Sequence, residues 1–222
     1  MSEAYSEEQI WNSYNQLLLS QDVDRVRKLL VRYELFKKSL DVPGDIIECG
    51  VFKGVGFMYW LKLLTIFAPA SRKKVIGFDT FSSFADSLLP YEKVSAKSYT
   101  DEAAFEGVDP KDILACAERA GFANRAELVA GDIMQTAPKY VKDNPGFRIS
   151  LLHLDFDTYH GSKTVLENFY NMVTPGGIIV FDEYAFRGWG ESDAVDEFFT
   201  DKSVKIRTVE HASTPTAYLI KP

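Results

Sequence analysis

The chain is 222 residues long, 46% hydrophobic and 26% charged, with a formal net charge of −7. That length suits one sizeable α/β domain with few additions, in an ordinary globular composition. The acidic balance and the lack of a Lys/Arg-rich stripe exclude a broad nucleic-acid-binding face, and no run approaches the roughly 18 apolar residues of a membrane span.

Met1 to Glu8 is acidic and has no apolar core, so it does not read as a signal peptide. Residues from about 6 to 40 read as two helices, opened by a Ser6–Gln9 capping box and carrying Val23, Val26, Leu29, Leu30 and Tyr33 at helical spacing. Pro43-Gly44 closes this N-terminal helical cap, residues 1–42. Asp45–Cys49 is a short buried strand, followed by the turn Gly50-Val-Phe-Lys-Gly-Val-Gly56 and an apolar helix to about Phe67. Arg72-Lys73-Lys74, the densest basic run, is a solvated turn before the strand Val75–Asp79. Ser82 to Val108 has weak periodicity and many polar residues, and reads as a long loop or lid. Asp109-Pro110 supplies an N-cap and an N1 proline for a helix to about Gly121.

A third strand is expected at Ala126–Ala130, a fourth at Ile149–Asp155, a helix at about Ser162–Met172 and a fifth strand at Gly177–Phe181. A helix near Ser192–Thr200 then leads to two closing strands, Lys205–Val209 and Thr216–Lys221. Strands alternating with helices predict a doubly wound, Rossmann-like α/β sheet of seven strands with helices on both faces. Cys49 and Cys116 have no metal-ligand spacing and read as free thiols, which together with the N-terminus makes a cytoplasmic location the expectation.

The chemistry gathers at strand ends. Asp155 and Asp157 end one strand, and Asp182 and Glu183 end another; a parallel sheet carries both pairs to the edge where ligands bind. Like charges gathered there repel unless a cation or proton lies between them, and Mg²⁺ is the natural occupant. The turn Glu48 to Gly54 is neither GxGxxG nor a phosphate-binding P-loop. Glu48 would repel a pyrophosphate but suits an ammonium group, as in the methionine part of S-adenosylmethionine. Asp79 stands where an acid binds ribose hydroxyls, Phe81 is placed to flank an adenine, and Gly131-Asp132-Ile133 offers a further adenine-side contact. Any one of these is as readily a capped turn; three in series argue for a nucleotide-like ligand.

The stretches DIIECGVFKG, VIGFDTF, LVAGDIMQTAP, LLHLDFDTYHGS and TPGGIIVFDEY, in this order between about Gly44 and Phe199, resemble the macrocin-type (TylF-like) sugar O-methyltransferases. The resemblance implies a class I methyltransferase fold and dependence on S-adenosylmethionine and Mg²⁺. It implies a hydroxyl of a deoxysugar as acceptor, whether free, nucleotide-linked or on a natural product. Glu48, Gly50, Asp79, Phe81, Asp132 and Ile133 would line the cofactor site, with Lys53, Gly54, Thr80, Gly131, Asp155 and Asp157 completing it. Lys53 stands where relatives often carry arginine. The metal would be held by Asp155, Asp182 and Glu183, although many relatives have Asp-Asp where this chain has Asp-Glu. Residues 82–108 would be the acceptor loop or lid, and a homo-oligomer is a family expectation.

Methyl transfer to a sugar needs its hydroxyl deprotonated, and a coordinated metal lowers that pKa. Asp155 is the first candidate for the base and His160 the second, since histidine is the residue type suited to proton transfer near neutral pH. His153 alternates into its strand as a core residue, and His211 lies in a loop. Tyr159 packs or holds the metal-site turn. Tyr184, Phe186 and Trp189, with Gly188 and Gly190, form either an acceptor wall or a hydrophobic hinge; Tyr91 and Tyr99 are further acceptor candidates. A catechol or other phenol is the alternative acceptor, disfavoured by Thr158 where such enzymes carry lysine. A non-catalytic S-adenosylmethionine-binding scaffold is the alternative of another class.

Overall fold

The computed structural model describes residues 5–84, 87–103 and 107–222. Its six strands are β1 (Asp45–Cys49), β2 (Val75–Asp79), β3 (Ala126–Ala130), β4 (Ile149–Leu154), β5 (Val173–Phe181) and β6 (Ala217–Ile220). They form one sheet in the order β3-β2-β1-β4-β5-β6, parallel throughout except for β6, which runs antiparallel to β5. The strand order reverses between β1 and β4, and such a reversal opens a crevice at the carboxyl ends of the strands. β4 is buried at all six positions, as expected of a central strand covered on both faces.

The helices are α1 (Glu7–Leu19), α2 (Asp24–Ser39), α3 (Val55–Phe67), α4 (Glu92–Ala103), α5 (Pro110–Arg119), α6 (Ile133–Asp143), α7 (Tyr159–Phe169) and α8 (Glu191–Phe199). One face of the sheet packs against α2, α3 and α5 through Leu35, Phe36, Phe57, Trp60, Leu64 and Ile113. The other packs against α6, α7 and α8 through Ala137, Val165, Leu166, Phe169, Val195 and Phe199. α1 opens with the capping box, Ser6 and Gln9 each accepting the other's backbone N–H, but it buries no residue. No described helix is long and apolar enough to cross a membrane. Cys49 and Cys116 are both free thiols.

Three elements depart from the sequence reading. The expected strand at 205–209 is reduced to a single bridge, Arg207 exchanging both backbone hydrogen bonds with Tyr218 at 2.8 Å, so among the described residues the sheet has six strands rather than seven. The ten-residue return from Arg207 includes Pro215, which has no N–H to donate, and the ladder does not extend beyond one pair. α6 was not anticipated: Asp132 caps it, and Pro138 within it masks its helical pattern. α4 occupies much of the stretch read as a loop; residues 85, 86 and 104–106 of that stretch lie outside the described residues.

Candidate active site

The crevice is built by close approach of two strand ends. Asp155 donates its N–H to the Cys49 carbonyl at 2.7 Å, and Gly50 donates to Phe78 at 2.8 Å. A Cβ on Gly50 would lie 1.9 Å from the Asp155 carbonyl oxygen, and the φ of Gly50 is +99°, so only glycine fits. Asp182 follows the same pattern one strand on, its N–H reaching the Leu154 carbonyl at 3.0 Å. Among the described residues, four non-glycine positions have positive φ: Phe52, Phe81, Asp157 and Ala185. They lie just beyond β1, β2, β4 and β5, so backbone strain is concentrated along one edge, where ligand sites commonly store it.

The acidic groups on this edge are tied into a network by side chains that sequence reading did not place there. His153, read as a core residue, is fully buried but sits among three carboxylates. Its Nε2 lies 3.1 Å from Asp182 and 3.9 Å from Asp155, and its Nδ1 is 3.6 Å from Glu48. The signal was available in the sheet register, which sets Glu48 beside His153 on neighbouring parallel strands. Two cations come from α2. Arg32 pairs with Asp155 at 2.8 Å and approaches Glu48 at 3.7 Å; Lys28 Nζ lies 2.9 Å from Asp182 Oδ2. Their i, i+4 spacing puts both on one face of the helix, and that spacing was the available clue.

The pKa shifts follow from this arrangement. Burial alone would raise the Asp182 carboxyl, but Lys28 and the hydrogen bond from His153 outweigh it and hold the group below its usual range. Burial pushes Asp157 well above the usual carboxylate range, helped by Asp155, Glu183 and Asp182. Glu183 is pushed up to about 7 by burial and by the charges of Asp182 and Asp155. Burial, with Asp157 and Asp182, also raises Glu191, whose Oε1 accepts the Glu183 N–H at 3.0 Å.

These residues suit a hard divalent cation. Lys28, Arg32 and His153 cannot neutralise Glu48, Asp155, Asp157, Asp182, Glu183 and Glu191 together, and buried oxygens of Glu48, Glu183 and Glu191 have no hydrogen-bond partner. Among the described residues, the ligand atoms that converge within 4.8 Å are those of Glu48, His153 and Asp155. Arg32 pairs with both carboxylates of that group. Asp182 and Glu183 do not join it.

A cavity of about 790 Å³ runs from the glycine turn to the acidic edge. Of the residues expected at the cofactor, Glu48, Gly50, Asp79, Thr80, Gly131, Asp132, Ile133, Asp155 and Asp157 line it. Lys53, Gly54 and Phe81 do not: Gly54 caps α3 at φ 86°, the Lys53 ammonium lies 5.4 Å from the Phe52 ring, and Phe81 packs into the core. His160, the second residue of α7, stands edge-on to Tyr159 and is also outside the lining, as are Asp182 and Glu183. Asp79 organises the turn directly, its Oδ2 accepting from Val51 and Phe52 at 2.7 and 2.8 Å and its Oδ1 from Phe81 at 2.7 Å. Asp132 accepts the Met134 N–H at 2.9 Å as the cap of α6.

α4 forms a wall of this cavity. Glu92, completely buried, accepts the Tyr159 N–H with Oε1 and the Leu89 N–H with Oε2, both at 2.7 Å. Ser95 donates to the Gly188 carbonyl at 2.9 Å. Tyr99, also on α4, lines the cavity, and its phenol is pushed up to about 12 by burial and by Asp155 and Asp157. Phe84 stacks on Trp189 at 5.8 Å and meets Tyr99 edge-on at 6.3 Å. Tyr184 and Tyr159 instead hydrogen-bond to Asp196 and Glu197 of α8.

Residues 22–216 match the family model described as Macrocin-O-methyltransferase (TylF). The chain is 27% identical over 174 residues to 8-demethyl-8-(2,3-dimethoxy-alpha-L-rhamnosyl)-tetracenomycin-C 4'-O-methyltransferase of Streptomyces olivaceus, covering 70% of this chain and 63% of that one. It is also 27% identical over 176 residues to mycinamicin III 3''-O-methyltransferase of Micromonospora griseorubida, covering 76% and 65%. It therefore spans less than two thirds of the length of these curated relatives. The apo structure of CalS11, a TDP-rhamnose 3'-O-methyltransferase of calicheamicin biosynthesis, superposes with a TM-score of 0.75 at 29% identity, covering 97% of this chain and 88% of that one.

Proposed function

The chain belongs to the macrocin-O-methyltransferase family, and from that membership and the acid-lined cavity we propose that it transfers the methyl group of S-adenosylmethionine to a hydroxyl of a deoxysugar. The observation that carries this reading is the continuity of one cavity from the turns after β1, β2 and β3 to Asp155 and Asp157. Its volume lies in the upper part of the roughly 300–1,000 Å³ range of small-molecule sites, enough for donor and acceptor together. Glu48, with one buried oxygen unpartnered, would receive the ammonium of the donor, and the Asp79 and Asp132 turns its nucleoside.

Asp155, Asp182 and Glu183 would hold Mg²⁺, which when bound lowers the pKa of an acceptor hydroxyl. Asp157 takes the proton in this proposal. It lines the cavity beside Asp155, within reach of an acceptor hydroxyl there. Asp155 is engaged by Arg32, and His160 lies outside the cavity lining. When bound, S-adenosylmethionine would supply an electrophilic methyl group and leave as S-adenosylhomocysteine, the sulfur keeping the electron pair of the broken carbon–sulfur bond. Asp157 would accept the proton of the acceptor hydroxyl as the methyl ether forms and return it to solvent. Tyr99 and Phe84 line the cavity and supply aromatic faces against which a sugar ring packs, with Trp189 stacked on Phe84.

The test is methyl transfer to a panel of free and nucleotide-linked deoxysugars, read by mass spectrometry with and without EDTA. Transfer to a sugar that stops on chelation and returns with Mg²⁺ supports the reading. Full activity after complete metal removal refutes the metal assignment, and preferential transfer to a catechol refutes the sugar.

A further inference from the structure

Asp182 has no free face toward the cavity. Its Oδ1 lies 3.1 Å from His153 Nε2 and its Oδ2 2.9 Å from Lys28 Nζ. The Asp182 side chain is only 2% exposed, whereas that of Lys28 is 34% exposed and lines the cavity. The ammonium therefore stands between the cavity and the carboxylate. Arg32, one turn along α2, is different in kind. Its side chain is 6% exposed between Asp155 and Glu48, and a Cβ on Gly56 would come within 2.3 Å of its Nη1, so it is wedged in place. Lys28 has a flexible four-carbon stem and an open side, so it can leave without unpacking the core. An ammonium and a divalent cation repel one another and compete for the same oxygen lone pairs.

We propose that Lys28 is the resident counter-ion of the metal-free site, occupying Asp182 until a divalent cation displaces it. This rests on the assignment of Asp182 as a metal ligand made above. Lysine and metal then exclude each other at one carboxylate. The metal-free protein is protected from its own acidic surplus, and metal entry returns the Lys28 ammonium to the cavity.

Binding and stability test this without any assay of turnover. Mg²⁺ and Mn²⁺ are titrated calorimetrically into the full chain, its Lys28→Met variant and its Lys28→Arg variant. Thermal melts are recorded in EDTA and in saturating Mg²⁺. Removing the competing charge should tighten metal binding at least tenfold in Lys28→Met, while Lys28→Arg binds no tighter than the parent. Lys28→Met should melt earlier than the parent in EDTA and together with it in Mg²⁺. Unchanged or weaker metal binding by Lys28→Met overturns the exchange and leaves the metal assignment standing. Absence of metal binding in all three proteins overturns both.

Discussion

Glu92 is a joint between parts of the chain distant in sequence, and its removal has a calculable cost. The N-cap residue of α7, Thr158, makes no side-chain capping bond; the Tyr159 N–H is instead received by Glu92 from α4. The other Glu92 oxygen receives the Leu89 N–H, so Glu92→Ala orphans two half-buried donors and takes a negative charge away from the start of a helix. Hydrogen bonds to a charged acceptor contribute about 1.5–3 kcal/mol each, so the two together contribute about 3–6 kcal/mol. Relief from burying a carboxylate offsets part of this, leaving a net loss of about 3 kcal/mol. At about 2–4 °C per kcal/mol for a chain of this size, the melting temperature should fall by roughly 6–12 °C. Glu92→Gln keeps one acceptor oxygen and should lose about half as much. Hydrogen exchange should accelerate in residues 89–102 and at the start of α7, while β1 and β4 stay protected. A melting point within about 2 °C of the parent, with unchanged exchange in α4, would refute the assignment of Glu92 as the joint.

Other consequences are equally direct. Folding raises the Glu183 carboxyl from 4.5 to about 7, so its ionisation opposes the folded state; metal-free stability should fall as pH rises from about 4.5 toward 7 and level off above that. Glu183→Gln should flatten this slope in urea-denaturation midpoints taken across the range, and an unaltered slope would assign it to other groups. Gly50→Ala drives a methyl into the Asp155 carbonyl at positive φ and should cost more than about 3 kcal/mol, read as lost expression or an early melt. Ala185 holds φ 66° with its N–H donated to Ser192, so Ala185→Gly should stabilise the chain by up to about 1 kcal/mol; a lower melting point would show the corner to be unstrained.

What could be read from the sequence was local. β1, β2 and β3 have the bounds expected of them, because each is a short apolar run punctuated by glycine, proline or a terminal acid. The capping box at Ser6 and the Asp109-Pro110 start of α5 are equally local and are present. The missing strand depends on how many residues of 205–209 find partners, which no alternation pattern states. At the site, the acids could be read because strands carry their ends to a common edge. Their neutralising cations could not, since Arg32 and Asp155 are 123 residues apart and Lys28 and Asp182 are 154 apart. Glu92 was hidden for the same reason, its partner Tyr159 lying 67 residues downstream.

The contact of Gly50 with the Asp155 carbonyl bears on how such a protein can be remodelled. It joins the glycine-turn strand and the acid strand so closely that neither can shift without the other. Phe84, Tyr99 and Trp189 instead come from excursions after β2 and β5, outside the strands. On the acceptor role proposed for those rings, grafting the excursions from a related protein should change selectivity while the sheet edge is left untouched. Ser95 binds Gly188, and a Cβ on Gly190 would strike Glu92, so the two segments interlock. They are a matched pair: a chimera that imports one without the other inherits a broken seam, and one that imports both inherits a new preference on an old scaffold.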